Sequence, residues 1–237
     1  MYHDVVDTAD DSGFPGPHAA LYKLPRLAFE KHLRAIRAAA PDTVLTFDDG
    51  GVSFHSTIGG MLEQHGWRGH LFFTTDWIGR PGFCDRAQIR ELAARGHIIG
   101  SHSCSHPPRM SALSPEEIES EWRRSREALE EIIGSPVITA SVPGGYYSAA
   151  VGSAAARAGI RTLFTSEPTI RAVKLDDCLI LGRYAIQRDD SASKAAALAA
   201  GRWLPRAQQS AWRQMKKVAK RLGGDAYLKA QRRVLGH

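Results

Sequence analysis

From about Val44 to Ala200 the chain alternates short apolar runs with segments of helical period, and no internal repeat or low-complexity stretch interrupts the pattern. Such alternation builds βα units, and it restricts the chain to an α/β fold with a largely parallel sheet. The expected strands are Val44 to Phe47, His70 to Thr75, His97 to Ser101, Val137 to Val142, Thr162 to Thr165 and Cys178 to Ile186. Between them the pattern predicts helices at Pro25 to Ala40, Ser53 to His65, Arg86 to Arg95, Pro115 to Ile133, Ala149 to Ala158 and Ser191 to Ala200. The clearest start is Ser114-Pro115-Glu116-Glu117, a capping Ser followed by Pro at the first helical position and an acid at the third. Gly134 closes that helix. With 237 residues, 43% hydrophobic and 24% charged, the chain has the size and composition of one α/β-barrel domain.

The formal charge of +6 raises the question of a polyanionic partner, and its distribution answers it. Residues 201–237 hold ten Lys and Arg against one acid, a net of +9, which leaves the first 200 residues at −3. The organisation expected is therefore a domain at 1–200 followed by a basic tail at 201–237. In that tail Trp212, Met215, Val218 or Ala219, and Leu222 recur at steps of three and four, which predicts a basic amphipathic helix over 204–222. Two readings of the helix stand: an anionic membrane surface or partner protein, which Trp203 and Trp212 would suit, or simple packing on the barrel. Nucleic acid is disfavoured, because no groove-reading or aromatic RNA motif accompanies the charge. No run approaches the length needed to span a bilayer and the start is not that of a signal peptide, so the expected location is cytoplasmic, peripheral at the inner membrane face if the tail binds lipid. Cys84, Cys104 and Cys178, odd in number and widely spaced, read as reduced thiols. The Gly-, Pro- and Asp-rich stretch from Asp7 to Pro25 reads as a long loop of the kind that often carries function.

Three segments place polar, metal-capable residues at the C-terminal ends of expected strands, where α/β sheets and barrels carry their sites. In Thr46-Phe47-Asp48-Asp49-Gly50 the adjacent carboxylates of an extended chain point to opposite sides, so one can bind a cation while the other stays near it as a base. Asp-Gly alone reads more readily as a plain turn. In His102-Ser103-Cys104-Ser105-His106 two imidazoles four apart can meet one ion if the segment turns once, with Cys104 either competing as a soft ligand or, as an extended or once-turned segment favours, pointing away into the core. Two His and a carboxylate form a common open site for zinc. In Pro143-Gly144-Gly145-Tyr146 the paired glycines free backbone amides to approach a ligand and stabilise an oxyanion.

Together these segments resemble the polysaccharide deacetylases of carbohydrate esterase family 4, over roughly residues 42 to 187. Residues 46 to 50 match the family's Thr-Phe-Asp-Asp-Gly motif letter for letter, and His102 to Pro107 match its motif of a His-Ser/Thr pair followed by His-Pro. Gly96-His97-Ile98-Ile99-Gly100 is similar to the stretch that leads into the second motif. The resemblance implies a distorted (β/α)7 barrel, a zinc or similar divalent ion on Asp49, His102 and His106, Asp48 as general base, and removal of acetyl groups from N-acetylated sugars. Cobalt, nickel and manganese tolerate the same ligands.

Three departures accompany the resemblance. Ser141 stands where the family's third motif has an Arg that orients the base, Phe164-Thr165-Ser166-Glu167-Pro168 replaces its Asp-Trp motif, and Leu179 to Ala185 lacks the late-strand His that acts as general acid. Candidates to replace what is missing are His3, on an expected first strand Tyr2 to Val6, and Arg183, either of which would orient the substrate or relay a proton. His3 is equally readable as a structural residue bonded to Asp4 or a loop. Two functions are thus carried forward: a deacetylase acting on a polysaccharide, oligosaccharide or lipid-linked glycan, or an impaired homologue that binds sugar or serves as a scaffold.

Overall fold

A computed structural model of the chain describes residues 1–8 and 11–215. In chain order the elements are α1 (Pro17–Ala20), α2 (Arg26–Ala39), β1 (Thr46–Phe47), a π-helical turn (Phe54–Ile58) continuing into α3 (Gly59–Gln64), β2 (His70–Phe73), α4 (Arg86–Ala94), β3 (Ile98–Ser101), α5 (Pro115–Ile133), β4 (Thr139–Ser141), α6 (Ala149–Arg157), β5 (Thr162–Phe164), β6 (Val173–Leu175), β7 (Cys178–Leu181) and α7 (Ala192–Ala199). The seven strands form one sheet in the order β1-β2-β3-β4-β5-β7-β6, parallel except for β6.

The sheet curls, and the first two residues bridge its gap. Tyr2 donates to Thr46 O at 2.8 Å and accepts from Asp48 N at 3.1 Å, while Met1 N donates to Tyr184 O at 2.6 Å and Met1 O accepts from Ile186 N at 3.0 Å. The segment thus hydrogen-bonds to β1 on one side and to the chain following β7 on the other. This is the distorted barrel expected, with the strand ends of β1, β3, β4 and β7 converging at one mouth.

Local signals account for most boundaries. At α5 the Ser114 hydroxyl accepts from Glu117 N, the Glu117 carboxylate accepts from Ser114 N, and Gly134 takes the left-handed φ of 69° that ends the helix. In α2 the spacing Phe29, His32, Leu33, Ile36 buries one face against a core that also contains Tyr2, Phe47, Phe54 and Phe73. A second core around Met110, Ile118, Trp122, Val151 and Leu163 packs α5 and α6 farther along the same face of the sheet.

Three differences from the sequence pattern go beyond a residue or two at an element's end. The helix expected over Ser53 to His65 divides into a π-turn and a short α-helix. The strand expected to run from Cys178 to Ile186 stops at Leu181. At Gly182 the backbone oxygens of Glu167 and Thr169 pass 2.4 and 2.5 Å from where a Cβ would stand, so the chain leaves the sheet there. Antiparallel β6 was not expected, because it is an edge strand with exposed Val173 and Lys174 and so carries little apolar signal. The tail is helical over 203–215; the remainder of the expected basic helix lies outside the described residues. Among the described residues no helix is long and apolar enough to cross a membrane.

Candidate active site

Each chemical segment sits at the mouth because of what precedes it. Phe47 is anchored by Tyr2, Phe29 and Phe54 at ring-centroid distances of 5.6, 5.9 and 6.1 Å. The two carboxylates that follow diverge. Asp48 turns into the barrel, while Asp49, at φ 86°, directs its carboxylate toward His102 and His106. Gly50 has φ 90°, and a Cβ there would stand 2.9 Å from the Phe73 ring and 3.2 Å from Phe73 Cα.

After β3, His102 N donates to Phe73 O at 2.8 Å. Its Nδ1 lies 3.0 Å from Ser141 O; a carbonyl only accepts, so Nδ1 carries the proton and Nε2 presents a lone pair. The loop then folds back, with Ser103 at φ 65° and His106 at φ 57°. Glu121 of α5 fixes it by accepting from Cys104 N and Ser105 N, both at 2.9 Å, and from Ser105 Oγ at 2.8 Å. Ser103 Oγ accepts from His106 N at 3.1 Å. Three non-glycine residues held at positive φ in one site are costly, and they persist only where the surroundings enforce them.

The outcome is a cluster in which one ligand atom each from Asp49, His102 and His106 lie within 4.8 Å of one another. Asp49 Oδ1 is 3.3 Å from His102 Nε2 and 3.7 Å from His106 Nε2. Burial opposes the charged form of His102, yet Asp48 and Asp49 overcome it and lift its pKa above the ordinary value. Burial dominates at His106 and pulls its pKa down to about 4, leaving a neutral ring. A carboxylate and two imidazoles converging at this separation can hold a divalent cation. Cys104 is buried away from the cluster, its Sγ 3.1 Å from Asp76 Oδ1.

Arg183 corrects the role expected of it. Its Nη1 and Nη2 each donate to one oxygen of Asp48 at 2.7 Å, Nη1 also donates to Thr46 Oγ1 at 3.1 Å, Nη2 to Ser141 Oγ at 2.6 Å, and Nε to Thr165 O at 3.1 Å. All five guanidinium donors are therefore committed to the protein, and none remains to orient a substrate. Burial would raise the pKa of Asp48, but Arg183, with help from His102, holds it well below the usual carboxylate range. Ser141 thus does not leave Asp48 alone.

His3 is half-buried, its ring 4.7 Å from that of Tyr22. It is close enough to Asp48, Asp49 and His106 to bear on their ionisation. Its Nδ1 has no hydrogen-bond partner among the described residues. Asp4 instead accepts from Ser12 Oγ and Ser53 Oγ at 2.6 and 2.7 Å, which pins the loop that follows. A Cβ on Gly13 or Gly51 would fall 2.0 Å from the Asp4 carboxylate. From that loop Phe14 packs against His106, Trp77 and Phe83 at 4.8, 4.8 and 5.1 Å.

Pro143, Gly144 and Gly145 form one turn, with φ of 60° and 71° at the glycines. Pro108 O lies 3.4 Å from where a Gly144 Cβ would be, so the turn adjoins the His106 loop. Tyr146 sits under the Arg109 guanidinium at 5.7 Å. Glu121 and Phe14 escaped the sequence analysis: no motif marks a mid-helix Glu or a loop Phe as a neighbour of His106.

The sequence profile of the polysaccharide deacetylases matches residues 36–163, more than half of the chain. The chain belongs to the polysaccharide deacetylase family. YxkH of Bacillus subtilis strain 168, assigned by its name to the same family, is 27% identical over 145 residues, covering 61% of this chain and 50% of its own. A chitin deacetylase of Colletotrichum lindemuthianum is 32% identical over 91 residues, covering 38% of this chain and 36% of its own. The chain thus spans half or less of the length of these two relatives. In fold it is similar to the Streptococcus pyogenes deacetylase PplD, solved with acetate, at a TM-score of 0.65 and 19% identity, over 81% of this chain and 92% of that one.

Proposed function

We propose that this family member is a metal-dependent hydrolase that removes acetyl groups from N-acetylated sugars of a polysaccharide, oligosaccharide or lipid-linked glycan. The observation that carries the reading is the Asp49, His102 and His106 cluster set beside a buried, ionised Asp48. Asp49, His102 Nε2 and His106 Nε2 would hold the ion, and their donor types favour zinc. When bound, the ion polarises an acetamide carbonyl and makes water more acidic. Asp48 accepts the proton of the attacking water at a carboxylate oxygen. Its partner Arg183 keeps that carboxylate ionised and fixes its direction. The backbone amides around Gly144, Gly145 and Tyr146 supply donors for the oxyanion that develops on the former carbonyl oxygen. We assign to His3 the proton that the departing amine requires, because it is close enough to Asp48 and Asp49 to bear on their ionisation.

The test joins metal analysis of the purified chain to acetate release from N-acetylated chito-oligosaccharides, in the parent and in a His102→Ala, His106→Ala double variant. About one zinc per chain with acetate release, both lost in the double variant, supports the proposal. Metal and sugar binding without acetate release would leave the sugar-binding reading. A parent that takes up no added metal would overturn both the ion site and the mechanism.

A further inference from the structure

The helix at 203–215 is amphipathic with its sides reversed. Polar residues face the barrel. Arg206 donates to Leu198 O at 3.0 and 2.9 Å, Gln209 exchanges two hydrogen bonds with Ala185 at 2.9 and 2.8 Å, Ser210 donates to Pro168 O at 2.8 Å, and Arg213 donates to Gly145 O at 2.6 Å. These bonds fix the rotation of the helix and turn its apolar side outward. There Trp203, Leu204 and Met215 are 76, 52 and 57% exposed. Helices usually bury such a face, and a contiguous apolar stripe left on a surface marks an interaction site.

Charge selects the partner. Residues 201–237 carry +9 by sequence, against −3 for the rest of the chain. Arg206 and Arg213 are turned to the barrel, so the charge that favours anionic headgroups is supplied by Arg202 and by the basic sequence that follows residue 215, while the outward Trp203 suits the boundary of a bilayer. A second copy of this chain would instead bring another 201–237 sequence of the same sign. We propose that helix 203–215 docks by its outer face onto an anionic lipid surface. Because Arg213 ties the helix to Gly145, docking holds the mouth of the candidate site about one helix diameter, roughly 10 Å, from the lipid. That placement suits N-acetylated sugars carried on lipids, an extension that rests on the deacetylase reading above.

The test uses the full chain with vesicles of phosphatidylcholine alone or with about a third phosphatidylglycerol, the bound fraction being read by sedimentation. Turnover plays no part in this measurement, so it stands or falls separately from the deacetylase reading. Binding is expected on the anionic vesicles only, weakened by salt. A Trp203→Ser, Leu204→Ser, Met215→Ser variant is expected to bind at least about tenfold more weakly, with unchanged circular dichroism and unchanged acetate release from a soluble oligosaccharide. A full chain that ignores anionic vesicles would overturn the proposal, as would a triple variant that binds them equally well. So would self-association of the parent, dispersed in the variant, without vesicle binding, which would assign the face to a second copy.

Discussion

Replacing Arg183 with Met tests whether one guanidinium sustains the site. Asp48 is 2% and Arg183 6% exposed, so Met strips the carboxylate of two 2.7 Å charge-assisted bonds where little water can replace them. Removing one member of a buried ion pair costs about 3–5 kcal/mol, because the remaining ion keeps its desolvation penalty. In a chain of this length each kcal/mol moves Tm by about 2–4 °C, so Arg183→Met is expected to melt about 6–20 °C lower. Acetate release should fall further than unfolding explains, since Asp48 loses its fixed direction. The Ser141→Arg, Arg183→Ser swap offers the guanidinium from β4 instead, and Ser141 Oγ already lies 2.6 Å from Arg183 Nη2. The swap should therefore be more stable and more active than Arg183→Ser alone. Thermal melts and acetate assays on the four proteins decide the matter. A Tm loss under about 2 °C for Arg183→Met, or a swap no better than Arg183→Ser, would mean that the guanidinium does not sustain Asp48.

Further expectations concern the proton donor, the loop, the packing and pH. His3→Ala should retain its metal yet lose roughly 10²- to 10⁴-fold in kcat; unchanged turnover would remove His3 from the mechanism. Glu121→Ala frees the backbone amides of Cys104 and Ser105 and should lower metal affinity by about 10- to 100-fold, measured by competition with a chelator. Gly182→Ala drives a methyl into two backbone oxygens and should cost about 1–3 kcal/mol in denaturant melts; a neutral result would mean that the 167–169 segment gives way easily. Burial lowers the pKa of His32, His70 and His97. His97 accepts from Gly69 N at Nδ1 and donates to Glu63 at Nε2, and His32 donates to Asp190 O, so both serve the fold as neutral rings. The unfolded chain takes up their protons first, so stability present above about pH 6.5 should fall as pH drops from there toward the lowered folded values. Denaturant midpoints equal at pH 7.5 and 5.5 would contradict this.

What could be read from the sequence was local. The βα alternation gave the fold class and the succession of most strands along the chain because a strand signals itself within a few residues, and edge strand β6 was missed because its side chains are exposed. Its two-residue Asp176-Asp177 turn, with Asp176 at φ 52°, was the available sign of a hairpin. Asp48 with Asp49, and His102 with His106, could be singled out as candidates because each pair lies within one short motif, and Asp49, His102 and His106 do converge. The partner of Asp48 was not, since Arg183 lies 135 residues away and only closure of the barrel brings it behind the carboxylate. The same holds for Glu121 beneath the His106 loop, Phe14 against His106 and the outward apolar face of helix 203–215. Spacing along a chain determines which side chains share a turn or a strand end; which of them meet across the barrel depends on curvature and closure, and no local pattern encodes either.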